Sequence, residues 1–353
     1  MKIAIITDTH SGVRGDNSIF LDHQEKFFQN IFFPKLESEN IDTVLHLGDI
    51  FDRRRFINFV TLKRTKEMLF DPMKSAGITC HAVLGNHDCY YKNTNSVNAL
   101  ELLLNEYDNW HVYSYEPKEL TFGSSKIILS PWIAKDNYDV SMEVLEKTDA
   151  SVLMGHFEFQ GFEMMKGQIS DHGFDKNDFY KFEAIYSGHF HHPSENGNVK
   201  YLGAPYEMNW SDYDGKRGFH IFDTETKTLE FIPNTYKIFH KIEYDDEDMT
   251  MEDVVELDTS VLENTFIKLI VKNKTNPQIF DLFCDKLSES GCADLKIIED
   301  SLNLEGIEGE ELIDESKDTK EVLHSYVDSL ETNVDKSKIK GVIDNLYSEA
   351  LSL

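Results

Sequence analysis

The first two hundred residues alternate short apolar runs, rich in β-branched side chains, with longer stretches whose apolar positions recur at helical spacing. Lys2–Thr7 (KIAIIT), Thr43–Leu47 (TVLHL) and Ile78–Leu84 (ITCHAVL) predict strands, and Ile19–Glu39 and Phe56–Ala76 between them predict helices. Such alternation is the signature of a layered α/β architecture. Further strands are predicted at Lys126–Leu129, Ser151–Met154, Ala184–Tyr186, Val199–Leu202, Gly218–Phe222 and Leu229–Ile232. From Phe182 onward the strands leave no room for helices, so a second sheet packed on the first is expected: a two-sheet β-sandwich flanked by helices.

After Pro233 and Asn234 the acidic run Glu243–Asp248 (EYDDED) reads as a solvated boundary. Strand Thr265–Val271, helix Pro277–Ser288 and strand Asp294–Ile298 then predict a small α/β cap. Glu305–Asp318, rich in Glu, Asp and Gly, reads as a flexible linker. Leu323, Tyr326, Val327 and Leu330 fall at i, i+3, i+4, i+7, as do Ile339, Val342, Ile343 and Leu346, so two short amphipathic helices close the chain. The expected divisions are 1–235, 236–304, 305–319 and 320–353.

At 353 residues with 40% hydrophobic and 12% aromatic content, the chain has ample material for a core and is not a disordered one. No stretch approaches the ~18 consecutive apolar residues of a membrane span. The start MKIAIITDTH is charged too soon for a secretory signal, and four cysteines without a C-x-x-C pair make no disulfide framework, so a reducing, cytoplasmic setting is expected. The net charge is −29, with 12 basic against 29 acidic residues after residue 236 and 23 against 35 before it. A chain this acidic repels polyanions over most of its surface, unless a local patch or a partner reverses the sign.

Five elements place metal-ligand side chains just beyond predicted strand ends: Asp8-Thr9-His10, Gly48-Asp49-Ile50-Phe51-Asp52, Gly85-Asn86-His87-Asp88, Gly155-His156 and Gly188-His189-Phe190-His191. Loops at the carboxyl ends of sheet strands converge, so residues scattered from 8 to 191 can meet at one edge. Carboxylate, imidazole and amide oxygen are present and thiolate is absent. That donor set disfavours a structural zinc site and suits divalent manganese or iron, or zinc in a catalytic role. Each element alone is common by chance; all five in this order are not.

In this order the elements resemble the motifs of the calcineurin-like metallophosphoesterases, and Gly-Asn-His-Asp matches that superfamily letter for letter. Within it, GDIFDRRR, AGITCHAVLGNHD, MGHFEFQGF, YSGHFHH, YLGAPYEMNW and RGFHIFDTET resemble the SbcD-type nuclease subunits of double-strand-break repair, including those of T-even-like phages. The resemblance runs through about residues 1–235, which it implies to be a nuclease domain; beyond that it rests on layout. It implies two divalent ions, manganese foremost with magnesium, iron or zinc as alternatives. Asp8, His10, Asp49 and His191 would hold one ion, and Asp49, Asn86, His156 and His189 the other. Asp49 would bridge, and a hydroxide shared by the ions would attack phosphorus. His87 would stabilise or protonate the departing oxygen, with Asp88 its orienter. Ser11 stands where Leu is commoner, and Asp52 where some members have His; an aspartate there would orient a phosphate or hydrogen-bond a ligand.

Arg53, Arg54 and Arg55, with Lys63, Arg64 and Lys66, form the densest basic patch, and are candidates for sequence-independent phosphate contact. The chain has no G-x-x-x-x-G-K-[ST] phosphate loop, so the resemblance implies a separate SbcC-type coiled-coil ATPase. The apolar positions of 320–353 are its expected dock. The resemblance also implies a homodimer within a heterotetramer, through Phe56–Ala76 and Asn95–Tyr107, with Val97, Leu100, Leu103 and Leu104 as contacts. The expected activity is that of a DNA exo/endonuclease subunit. The alternatives are a phosphomonoesterase or nucleotide phosphodiesterase on the same scaffold, and a non-catalytic scaffold that tethers DNA ends.

Overall fold

The computed structural model describes residues 1–165, 168–299, 327, 336 and 338–343. The chain divides into two compact units, Met1–Glu299 and Asp300–Leu353.

In the first unit, β1 (Lys2–Ile6), β2 (Thr43–His46), β3 (Thr79–Val83) and β4 (Trp110–Tyr113) run parallel, and β13 (Gly218–Asp223) and β14 (Leu229–Pro233) extend the sheet antiparallel beyond β1. The second sheet has the order β11 (Ser194–Asn196), β12 (Val199–Tyr201), β10 (Ala184–Gly188), β7 (Val152–His156), β6 (Ser125–Ser130), β5 (Lys118–Phe122). A hairpin of β8 (Glu163–Met165) and β9 (Gln168–Ile169) stands apart.

The sandwich follows from strict alternation along fully buried strands. Ile3 and Ile5 of β1, with Leu45 and Val83, face Ile127, Leu129, Val152 and Met154 of the second sheet. Ala4 and Ile6 point the opposite way, into an aromatic layer of Phe20, Phe27, Phe28, Phe32 and Phe70 supplied by the crossover helices. Those crossovers, 18–39 and 59–75, each carry a π-helical turn, at Phe28–Phe32 and Lys66–Phe70. The outer face of the second sheet is covered by Leu145, Phe157, Phe159, Phe179 and Phe182. The late strands do not all join the second sheet as their spacing suggests. β10 to β12 do, whereas β13 and β14 return to pair with β1.

The cap forms a third sheet of three parallel strands, β15 (Phe239–Asp245), β16 (Phe266–Asn273) and β17 (Asp294–Ile298), backed by helices Met251–Glu256 and Pro277–Ser288. Its first strand runs into the acidic run that reads as a boundary. Tyr244 is buried, and the Asp246 carboxylate accepts the Tyr244 hydroxyl and the backbone amides of Thr275 and Asn276. Two of the six residues in EYDDED are therefore packed cap residues, because a carboxylate can be buried where backbone N–H groups converge on it. Phe239 and Phe266 pack on Phe20 with ring centroids 6.0 and 5.5 Å away, which ties this sheet to the first core.

Of the residues expected at a dimer contact, Leu100 and Leu104 are buried in this chain's own core and Leu103 packs against it, while Val97 is exposed. In the second unit Val327 is helical and buried, and within the helical residues 338–343 Val342 is exposed while Ile339 and Ile343 are half-buried. Leu323, Tyr326, Leu330 and Leu346 lie outside the described residues, as does the linker 305–319. No helix among the described residues is long and apolar enough to cross a membrane.

Candidate metal centre

The five elements leave the carboxyl ends of β1, β2, β3, β7 and β10, and their side chains meet. Three groups of titratable residues each bring one ligand atom per residue within 4.8 Å of the others: Asp8, His10 and His191; Asp49, His156 and His189; and His10, Asp52 and His87. One Asp49 oxygen, Oδ2, stands 3.6 Å from His10 Nε2 and 3.3 Å from His156 Nε2, between the first two groups. Asn86 Oδ1 lies 3.0 Å from His156 Nε2 and 2.9 Å from His189 Nδ1. All seven residues expected to bind metal are therefore brought to one place.

Four of the site residues hold strained backbone. Asp8, His10, Asp49 and His189 all have positive φ, between 39° and 93°, a region that side chains other than Gly rarely adopt. Close approach sets a second limit: a Cβ at Gly85 would lie 2.0 Å from Asp49 Oδ1. Strand ends therefore turn abruptly enough to aim short side chains inward. Supporting contacts then fix them. Thr7 Oγ1 donates to Asp8 (2.8 Å), and the His189 amide donates to both Asp8 oxygens (3.0 and 3.1 Å). His156 Nδ1 is 2.8 Å from the Leu47 carbonyl, which aims Nε2 toward Asp49 and Asn86.

The donor set itself tests whether cations belong there. The facing nitrogens His10 Nε2 and His191 Nε2 are 3.1 Å apart, and the Asn86 amide oxygen faces two imidazole nitrogens. Lone pairs this close repel unless protons or cations lie between them, so the residues fit divalent ions. In the metal-free protein the protons supply that charge. Burial pulls His10 down, but Asp52, Asp49 and Asp8 hold it up at about 10; burial likewise opposes His156, which Asp49 and Asp8 raise to about 9. Burial would raise Asp49, yet His156, His87 and His10 more than offset it and keep its carboxyl well below the ordinary range. Burial leaves His191 at about 3, hence neutral.

A pH dependence follows. An ion entering either group must displace a proton, from His10 in one and His156 in the other, so affinity rises with pH below about 9. The expected slope is about tenfold per pH unit per ion. Calorimetric Mn²⁺ titration in buffers of differing ionisation enthalpy checks it: about one proton should leave per ion bound, and a pH-independent affinity would contradict the assignment.

One expectation needs correction. Asp88 does not orient His87. Its carboxylate accepts the amides of Gly85 (2.9 Å), Asp49 (2.8 Å) and Ile50 (3.0 Å), with Phe51 at 3.4 Å, so it locks the Asp49 loop to its own. His87 is instead held by the Asp52 carbonyl oxygen, 2.5 Å from Nδ1. Asp52 serves two neighbours, since its carboxylate also lies 3.6 Å from His10 Nδ1. In the basic patch, Arg53 pairs with Asp16 (3.2 Å) and lies over the Phe56 ring, and Arg64 pairs with Asp22 (2.8 Å) and Glu25. Arg55 is exposed. Arg54 is half-buried, within electrostatic reach of Asp49 and Asp88, and makes no hydrogen bond or ion pair among the described residues.

Supporting residues escaped the sequence reading. Gln24, on the first crossover helix, donates to the Thr9 and His10 carbonyls at 3.3 Å, and the Tyr206 hydroxyl also donates to Thr9. His46 Nε2 lies 3.1 Å from Thr9 Oγ1, and Trp132 packs beside His189 at 5.2 Å. A polar residue at an otherwise apolar helix or strand position, as at Gln24 and His46, was the available signal.

Comparison with known proteins gives the family. The calcineurin-like phosphoesterase family model matches residues 1–193. Exonuclease subunit 1 of Enterobacteria phage T4 is 37% identical over 245 residues, covering 69% of this chain and 71% of that protein. The SbcD subunit of the SbcCD nuclease of Staphylococcus epidermidis is 25% identical over 315 residues, covering 78% and 77%. An archaeal phosphodiesterase structure aligns at TM-score 0.34 and 16% identity, covering 66% of this chain and 100% of that one, a likeness too distant to argue from. With a family match over more than half its length and a relative 37% identical over 69% of the chain, the chain belongs to the calcineurin-like phosphoesterases and is a metal-dependent phosphodiesterase related to nuclease subunits.

Proposed function

We propose that the chain is the nuclease subunit of a DNA recombination and repair complex, hydrolysing phosphodiester bonds with two divalent ions, manganese foremost. The observation that carries this is the place of Asp49 Oδ2 between the His10 and His156 groups, where one carboxylate serves both halves. Asp8, His10, Asp49 and His191 would hold one ion and Asp49, Asn86, His156 and His189 the other. Bound there, the ions supply charge stabilisation to the phosphoryl oxygens and acidify a water. His87, its Nδ1 held by the Asp52 carbonyl, keeps Nε2 to meet the departing oxygen and hand it a proton. Asp88 keeps the Asp49 loop in register through its amide contacts.

Arg54 and Arg55 suit phosphate contact, because neither makes a hydrogen bond or a close ion pair among the described residues; Arg53 and Arg64 already carry acidic partners. A charge of −29 argues that DNA grip comes in part from elsewhere. Both named relatives are subunits, which supports a partner, and we assign that role to an SbcC-type coiled-coil ATPase docking on 320–353. A homodimer through the exposed Phe59, Val60 and Val97 fits the same assembly.

The test is to incubate the purified chain with end-labelled linear duplex and Mn²⁺, with and without an SbcC-type ATPase, and to follow product lengths. Progressive shortening that chelator abolishes and the ATPase accelerates is expected. Intact DNA alongside rapid turnover of small phosphate monoesters would overturn the proposal in favour of a phosphomonoesterase.

A further inference from the structure

Arg217 lies beyond the stretch that the family model matches, yet it reaches back 26 residues to the ligand loop. Its side chain is buried, and one guanidinium nitrogen donates to the His191 carbonyl oxygen. The other, Nη2, stands 2.7 Å from Oδ1 of Asp212, which is itself fully buried. The second Asp212 oxygen accepts the amides of Met208 (2.8 Å) and Asn209 (3.1 Å), anchoring the pair to its own turn. The His191 carbonyl also accepts the Ala204 amide at 3.0 Å. Two donors from separate segments thus converge on a single peptide oxygen.

A buried ion pair costs desolvation that its attraction barely repays, so stability alone is a weak reason for one. Its location gives a better reason. His191 sits in the connection between β10 and β11, which has no ladder of its own to hold it, and its ring must still meet His10 at 3.1 Å. A guanidinium suits the task because two nitrogens of its fixed fork meet the carbonyl and the carboxylate separately, whereas lysine would have to reach both from one nitrogen on a flexible stem.

We propose that Arg217 is a positioning residue which, clamped by Asp212, fixes the His191 backbone so that the imidazole completes the cation group of Asp8 and His10. The group of Asp49, Asn86, His156 and His189 does not depend on it. This rests on the two-ion reading above.

The experiment titrates Mn²⁺ into the full-length protein, wild type and Arg217→Lys, by calorimetry and by electron paramagnetic resonance, with His191→Ala as the benchmark. In Arg217→Lys one ion should bind with unchanged affinity and the other about 10- to 100-fold more weakly, as for loss of an outer contact to a metal ligand. At low manganese the spectrum should show isolated rather than coupled ions, and excess manganese should restore both the coupling and the turnover. A merely structural role would not be rescued by metal. Asp212→Asn, which keeps the side-chain volume, should give the same pattern in milder form and serves if Arg217→Lys misfolds. Two ions bound with wild-type affinity, or both weakened equally, would overturn the proposal. Fewer than two ions on the wild type, or no loss in His191→Ala, would instead sink the two-ion reading beneath it.

Discussion

Replacing Asp49 with alanine will empty both halves of the site together and reduce phosphodiester cleavage by about 10³-fold or more. That factor follows from the several kcal/mol of charge stabilisation that bound metal supplies, each ~1.4 kcal/mol being a factor of ten in rate. Asp49 differs from every other candidate ligand in its geometry. One oxygen faces both His10 and His156, so its removal takes a ligand from each group, whereas His191→Ala or His189→Ala takes a ligand from one. The change also removes the negative charge that raises the His10 and His156 pKa values, so both rings lose their protons more easily. Alanine at a φ of 56° adds backbone strain of roughly 1–2 kcal/mol. Asp49→Asn, which tolerates that conformation, separates strain from ligation. Elemental analysis after dialysis against limiting manganese is the deciding measurement: full occupancy of two ions in Asp49→Ala would remove the bridge.

His87→Ser should behave in the opposite way, losing ~10²- to 10⁴-fold in cleavage, the usual contribution of a positioned proton donor, with metal content and melting temperature near wild type. The backbone explains the expected separation. The His87 amide donates to Asp49 Oδ1 at 2.7 Å, a contact that survives any side chain except proline, so the ligand stays in place while the ring is lost. His87 belongs to the third group, with His10 and Asp52, and to neither of the other two. Substrates with a good leaving group need no proton, so His87→Ser should cut a nitrophenyl phosphodiester far better than DNA, relative to wild type. Equal losses on the two substrates, or loss of a metal ion, would show that His87 acts as a ligand instead.

Much of the fold was legible because buried parallel strands are nearly continuous apolar runs, and each ends where Gly or Asp interrupts it. β1, β2, β3, β7 and β10 are of this kind, and the motifs beyond them could be assigned to one edge. β4, β5 and β15 were less legible. Their burial alternates or is partial, and β15 carries Glu243 and Asp245 on its exposed side, so local composition argues for loop while pairing with β16 makes it strand. The same conflict explains the acidic run: Asp246 is buried because amides from 29 and 30 residues away converge on it, which no window of sequence displays.

At the centre, the sequence alone determined the inventory: which carboxylates, imidazoles and amide are present, in what order, and beyond which strands. That is local chemistry, and it follows from residue types and short spacings. Tertiary structure decided the assignments between them. It gave His87 to the Asp52 carbonyl and Asp88 to the Asp49 loop, spent Arg53 and Arg64 on ion pairs while leaving Arg54 without one, and brought Arg217 to His191. The physical reason is that hydrogen bonds and ion pairs act over about 3 Å, and contacts between residues dozens of positions apart reach that range only after the sheets have packed.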